Sequence, residues 1–137
     1  MIAKDFIERQ IETLTAVIAK IIFKKEINAH QEVKAEISNA CKSLIGLDFN
    51  FIDSLPLPQL VSFFSITGTL DITKSLVAAK LFNLASDSGT DEENRAMKEK
   101  SLYMYNALLN SLSKSDEYGD LKNEINTDIE KINSELP

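Results

Sequence analysis

The chain has 137 residues, with 21 acidic against 15 basic side chains for a net charge of −6, a hydrophobic content of 44% and no tryptophan. This length and composition describe one globular domain spanning 1–137, large enough to bury a core without a disulfide or a structural metal. The acidic balance disfavours nucleic acid and anionic lipid as partners, and the sequence has no apolar run of the roughly 18 residues needed to cross a membrane.

The acidity is concentrated in the second half: residues 1–68 carry 7 basic and 8 acidic groups, whereas residues 69–137 carry 8 and 13. A single cysteine, Cys41, excludes an internal disulfide and fits a reducing compartment, so a cytoplasmic location is expected. The first residues do not read as a secretion signal, because Asp5, Glu8, Arg9 and Glu12 interrupt them. With only 4 glycines and 3 prolines, helix breakers are scarce, which favours long helices over short strands.

The first predicted helix runs from about Ala3 to Lys25. Ile7, Ile11, Leu14, Ile18 and Ile21 recur at spacings of 4, 3, 4 and 3, one face of an α-helix. A second row, Phe6, Val17 and Ile22, flanks that seam. Asp5 and Glu8 near the start and Lys20, Lys24 and Lys25 near the end complement the helix dipole. Such a helix suits the core of its own domain. If other helices leave the Phe6–Val17–Ile22 row uncovered, a second copy of the chain is expected to cover it.

Asn28 is predicted to cap the second helix, with Gln31 at the capping-box position. Val33, Ile37, Ala40, Cys41 and Leu44 form its buried stripe, and Gly46 ends it in a left-handed cap followed by the apolar Leu47. The two helices form an antiparallel hairpin. Residues 47–68 are less regular and hold four of the seven phenylalanines. Asp48 is expected to cap a single turn carrying Phe49, Phe51 and Ile52, and a short helix is predicted from about Pro58 to Ser65. This stretch is either a plug over the core or an exposed aromatic binding surface. The plug is the expected reading, because large exposed apolar patches are uncommon on monomers.

Asp71 or Thr69 caps the next helix, which runs to about Ala85, is apolar on most faces and should therefore be central. Thr90 and Glu93 form a capping box for a long helix ending near Leu112. The last helix is expected from about Asp116, through Leu121, Ile125, Ile129, Ile132 and Leu136, with Gly119 a weak point in its first turns. Five long or medium helices, one short one and no strand follow from this pattern, with short loops that imply antiparallel neighbours.

Two groups of residues carry a resemblance. Asn28-x-His30-x-x-Val33-x-x-x-Ile37-x-x-Ala40-Cys41 is similar to the second helix of a tetratricopeptide (TPR) repeat, and Ala96 with Ala107-Leu108 takes comparable positions in a later hairpin. The form is degenerate, since the first helix lacks the repeat's Leu-Gly pair and tyrosine. Met1-Ile2-x-x-Asp5-Phe6-Ile7-x-Arg9-x-Ile11-Glu12, together with Leu44-Ile45-Gly46-Leu47, resembles an uncharacterised family of small all-helical bacterial proteins, found mainly in Gram-positive organisms. That resemblance implies an all-helical fold over the whole chain and a bacterial cytoplasm, with no activity and no site residue.

The residue inventory offers no reaction. Zinc sites draw three or four ligands from Cys, His and carboxylates, and the chain has one Cys and one His. His30 and Cys41 lie about 16 Å apart along a helix, so they cannot share an ion; His30 reads as a partly exposed packing residue and Cys41 as a small buried hydrophobe. Asp48-Phe49-Asn50-Phe51-Ile52-Asp53 lacks the glycine and the third ligand of a calcium loop. Asp120, Glu124 and Asp128 align on one helix face and are expected to be solvated. No phosphate loop, nucleophile elbow or dinucleotide fingerprint is present.

The sequence therefore predicts an all-α protein of antiparallel helical hairpins, five to six helices in all, TPR-like or a bundle. Its expected role is a non-enzymatic module for protein–protein interaction, with a second copy or another protein as partner. The candidate contact residues are Phe49, Phe51, Phe63, Phe64 and Tyr103. The alternative is a small-molecule or lipid-binding bundle with a pocket among Phe63, Phe64, Leu81, Phe82 and Tyr105. No cofactor is implied, and no catalytic or metal-ligating residue is singled out.

Overall fold

The structure, a computed structural model, describes residues 2–136, with side chains from Asp5 onward. It is mostly helical. The first helix, α1 (Ile2–Glu26), buries Leu14 and Ile21 and half-buries Ile7, Ile11 and Ile18, which is the predicted seam. Its end corrects one expectation. Asn28 does not cap the second helix; it takes a left-handed φ of 59° and closes the first. Its N–H bonds to the Lys25 carbonyl at 3.1 Å and the Ala29 N–H to the Lys24 carbonyl at 2.9 Å, the bond pair of a Schellman motif. The second helix, α2 (His30–Leu44), therefore starts from Ala29 with no side-chain cap.

Val33, Ile37, Ala40 and Cys41 of α2 are buried, as their spacing predicts. Gly46 ends this helix at φ 92°, and its N–H reaches the Cys41 carbonyl at 3.1 Å. Lys20 and Lys24 of α1 face Glu32 and Glu36 of α2 at 3.4–3.7 Å. These part-exposed pairs fix register more than they add stability.

Two short helices follow, α3 (Phe49–Asp53) and α4 (Leu57–Phe63), with Pro56 and Pro58 in the α4 start. The helix expected to reach Ser65 stops at Phe63. Beyond it lies a hairpin that the helical pattern does not foresee, β1 (Ser65–Ile66) and β2 (Thr69–Leu70), antiparallel with Ser65 opposite Leu70. Thr67 and Gly68 turn the corner with φ of 51° and 81°, two left-handed residues in succession as in a type I′ turn.

The next helix, α5 (Ile72–Leu84), is capped by Asp71, whose carboxylate accepts the Lys74 N–H at 2.9 Å. Leu76, Val77, Ala78, Ala79, Leu81 and Phe82 are wholly excluded from solvent. This helix is the centre of the molecule, as its apolar circumference predicts. It packs most extensively on α6 (Asp91–Leu112), and on its other sides against α1 and α2. Helices α5 and α6 meet at small residues where the Ser101 hydroxyl of α6 donates to the Ala79 carbonyl of α5 at 2.7 Å. The capping box at the α6 start is formed in both directions, Glu93 N–H to Thr90 Oγ1 and Thr90 N–H to Glu93 Oε1. The Glu93 carboxyl is held below the usual range, first by the bond from the Thr90 backbone. Lys25, at the end of α1, donates to the Leu84 carbonyl at 3.1 Å and pairs with Asp87 at 2.6 Å, a cation at the negative end of α5.

The last helix, α7 (Gly119–Glu135), begins at Gly119 rather than near Asp116. The Ser115 hydroxyl accepts the Glu117 N–H at 3.1 Å, a local turn that competes with an earlier helix start. Leu121, Ile125 and Ile132 of α7 are buried, and α7 packs on α6. The described residues thus form seven helices and one small hairpin, and one cluster of buried side chains runs through the molecule from Leu14 to Ile132.

Candidate functional site

The phenylalanine-rich segment divides between core and surface. Phe49 and Phe51 lie two positions apart on a helical turn, so they point to roughly opposite sides. Phe49 turns inward against Phe82, ring centroids 5.6 Å apart. Phe51 turns outward and meets Phe63 edge to face at 5.6 Å. Phe63 in turn stands against Phe64 at 5.4 Å and 87°. Phe64 is buried, whereas Phe51 and Phe63 are 45% and 42% exposed and Ile66 at the hairpin is 61% exposed.

The segment is anchored from behind. Ile52 and Leu60 are buried in the core. The Lys100 ammonium on α6 donates to both the carbonyl and the carboxylate of Asp53, and it lies 5.9 Å from the Phe82 ring centre. A shallow cavity of about 320 Å³ opens beside Phe63, Phe64 and Ile66, with Leu47 on its wall and Asp71 and Lys74 at its rim.

The five candidate contact residues therefore do not form one surface. Phe51 and Phe63 meet at the exterior. Phe64 belongs to the core and supports Phe63 from below, Phe49 is half-buried against Phe82, and Tyr103 is half-buried on α6. Ile66 joins the exposed patch, although the helical pattern places it at a helix end; Gly68, two residues on, is the signal for a turn. Leu81, Phe82 and Tyr105 are buried in the core and line none of the four cavities described on this chain. The largest of these, about 630 Å³, lies between α2 and the α6 start, with Phe49, Met97 and Ile37 as its apolar wall and Lys34, Lys42 and Asp48 among its charges.

A second group of side chains departs from expectation. Of the row Asp120, Glu124 and Asp128, only Asp120 fits a purely solvated face. Lys80 of α5 reaches Glu124 at 2.9 Å and Asp128 at 3.2 Å, and the Tyr105 hydroxyl donates to Asp128 at 2.8 Å. Burial above all, then the Asp128 charge, raises the Tyr105 phenol well above its ordinary pKa. A phenol that holds its proton and a carboxylate engaged by two donors are suited to fixing α7 on α5 and α6, not to proton transfer. The signal in the sequence is Lys80 itself, a cation on the most apolar helix, where a charge needs a partner.

Cys41 is buried with its thiol pushed up to about 11, by burial first and by Asp48 second. His30 is exposed at the start of α2. Among the described residues no group of three His, Cys, Asp or Glu side chains is placed to hold a metal ion, and no helix is long and apolar enough to cross a membrane. No protein-family model matches the chain, and neither a curated protein nor a solved structure matches it.

Proposed function

We propose that the chain is a non-enzymatic helical-hairpin module for protein–protein interaction, which receives a protein partner on the surface formed by Phe51, Phe63 and Ile66. The observation that carries this reading is a pair of phenylalanine rings packed edge to face while 45% and 42% exposed. Aromatic side chains already held in place lose little freedom on binding, and buried aromatics dominate interface energies. The TPR-like pairing of α1 with α2, kinship with a family of small helical bacterial proteins and a cytoplasmic setting belong to the same proposal. The α1–α2 hairpin supports the first, and the free thiol of Cys41 supports the last.

The test is affinity capture with mass spectrometry, comparing the native chain with a Phe51→Ser, Phe63→Ser double variant whose helicity is checked by circular dichroism. The expected result is a protein retained by the native chain and lost from the folded variant. Identical captured sets from both would remove the reading. The cavity of about 630 Å³ favours a second one, a small amphipathic ligand held against Phe49 and Met97. With no native tryptophan, a Phe49→Trp variant reports occupancy by fluorescence when titrated with medium-chain fatty acids or small aromatic acids. An unchanged spectrum with these probes counts against that reading.

A further inference from the structure

The outward side of α1 carries a second helical seam. Asp5, Arg9, Glu12, Ala16, Lys20 and Phe23, continued by Ile27 just past the last residue of the helix, recur at spacings of 4, 3, 4, 4, 3 and 4 and are all exposed. This line lies opposite the buried seam through Leu14 and Ile21. Its two halves differ. The first half, Asp5 to Glu12, is charged; in the second, Phe23 is 59% and Ile27 55% exposed, with Lys20 the one charge among them. The described elements leave most of this side open: α2 and α5 pack on α1, α2 reaches the line at Lys20 through Glu36, and the turn before α7 borders it at Glu12, while every residue of the line stays exposed. The flanking row expected to need cover is also open at both ends, with Phe6 57% and Ile22 43% exposed.

We propose that a second copy of this chain docks antiparallel on this face, with the two-fold axis at Ala16. The central five positions of the line, Arg9 to Phe23, are complementary to themselves in that register and direction, and the outermost pair, Asp5 opposite Ile27, lies about 16 Å from the axis at the rim. Reversing the helix about Ala16 sets Glu12 of each copy opposite Lys20 of the other, forming two identical charge pairs. The same operation sets Phe23 opposite Arg9, a guanidinium over an aromatic face, again twice. Ala16 meets Ala16 at the centre, where a small side chain lets two helices approach closely. A parallel pairing would instead stack Glu12 on Glu12 and Lys20 on Lys20, which like-charge repulsion disfavours. Lys20 already touches Glu36 of its own α2 at 3.4 Å, yet its side chain is 59% exposed, so the ammonium can serve both carboxylates. This interface uses elements other than the Phe51–Phe63 surface and stands independently of the function proposed there.

A contact made by one helix from each copy lies at the small end of interface sizes, so the measurement is sedimentation equilibrium from micromolar to millimolar protein. The native chain is expected to reach twice its 15.3 kDa mass. Glu12→Lys and Lys20→Glu each raise the dissociation constant about tenfold or more, and combining them restores the dimer. Both positions are exposed, and circular dichroism verifies that the variants fold. Oxidative cross-linking reads the direction: Ala16→Cys links two copies, whereas Ile27→Cys, far from the axis, does not. A native chain that remains monomeric at millimolar concentration overturns the proposal, as does a double variant that stays monomeric. A disulfide formed by Ile27→Cys overturns the antiparallel arrangement.

Discussion

Cys41 and Tyr105 are two weak acids placed where only their neutral forms are comfortable. Burial raises the Cys41 thiol from 9.0 to about 11 and moves the Tyr105 phenol in the same direction. In the unfolded chain both groups ionise at their ordinary values, so the unfolded state releases protons first as the solution becomes alkaline. The Cys41 share of the stability contributed by burying them neutral is complete below pH 9.0 and is lost as pH rises through about 11, whereas the Tyr105 share begins to fall only above pH 10.0, the ordinary value of a phenol. Urea unfolding should therefore give a constant free energy through neutral pH and a falling one across that alkaline interval. A Cys41→Ala, Tyr105→Phe variant should show a shallower fall, and equal slopes for the two proteins would contradict the assignment. The burial of Cys41 is legible in the sequence because it sits within the stripe from Val33 to Leu44. The pairing of Lys80 with Asp128 is not, because 48 residues separate them and periodicity says nothing about which helices meet.

Helix ends show how local a signal must be to be read. Thr90 with Glu93 and Asp71 with Lys74 satisfy backbone donors within three residues, so spacing locates the first cap outright and narrows the second to Asp71 or Thr69, of which Asp71 forms it. Asn28 suits two roles, the start of α2 or a left-handed end to α1, and asparagine is favourable in each. The chain takes the second, which satisfies two carbonyls of α1 and leaves α2 to begin uncapped. The hairpin is illegible for a different reason: strands of two residues are too short to show alternation. Its corner also holds a β-branched residue where glycine or asparagine is usual, since Thr67 has φ 51°. Thr67→Asn should relieve that strain and raise the unfolding free energy by up to about 1 kcal/mol, measured by urea denaturation. A loss of stability would show that the threonine, whose hydroxyl bonds the Ile66 carbonyl at 2.7 Å, suits this corner better than its backbone suggests.

At the scale of the whole molecule, the central position of α5 is legible in the sequence, because a helix apolar around most of its circumference has to be enclosed. The identity of its covering is not: α6 supplies most of it, while α1 and α2 close the remaining sides, and no residue pattern within α5 names those neighbours. The order of these elements along the chain has a consequence for synthesis. A ribosome releases α1, α2 and α5 before α6, so the most apolar helix emerges with its principal cover still inside the tunnel. For that interval the side of α5 that α6 later covers, with the Ala79 carbonyl that Ser101 will engage, faces solvent, and escape from self-association calls for holdase chaperones or rapid completion. A fragment of residues 1–90, which ends one residue before α6, reproduces that stage. It should bind the dye ANS strongly and aggregate at concentrations where the full chain is clear, and adding a peptide of residues 91–137 during refolding should suppress the aggregation. A clear, dye-silent fragment would mean that α1 and α2 alone are able to shelter α5 until its partner arrives.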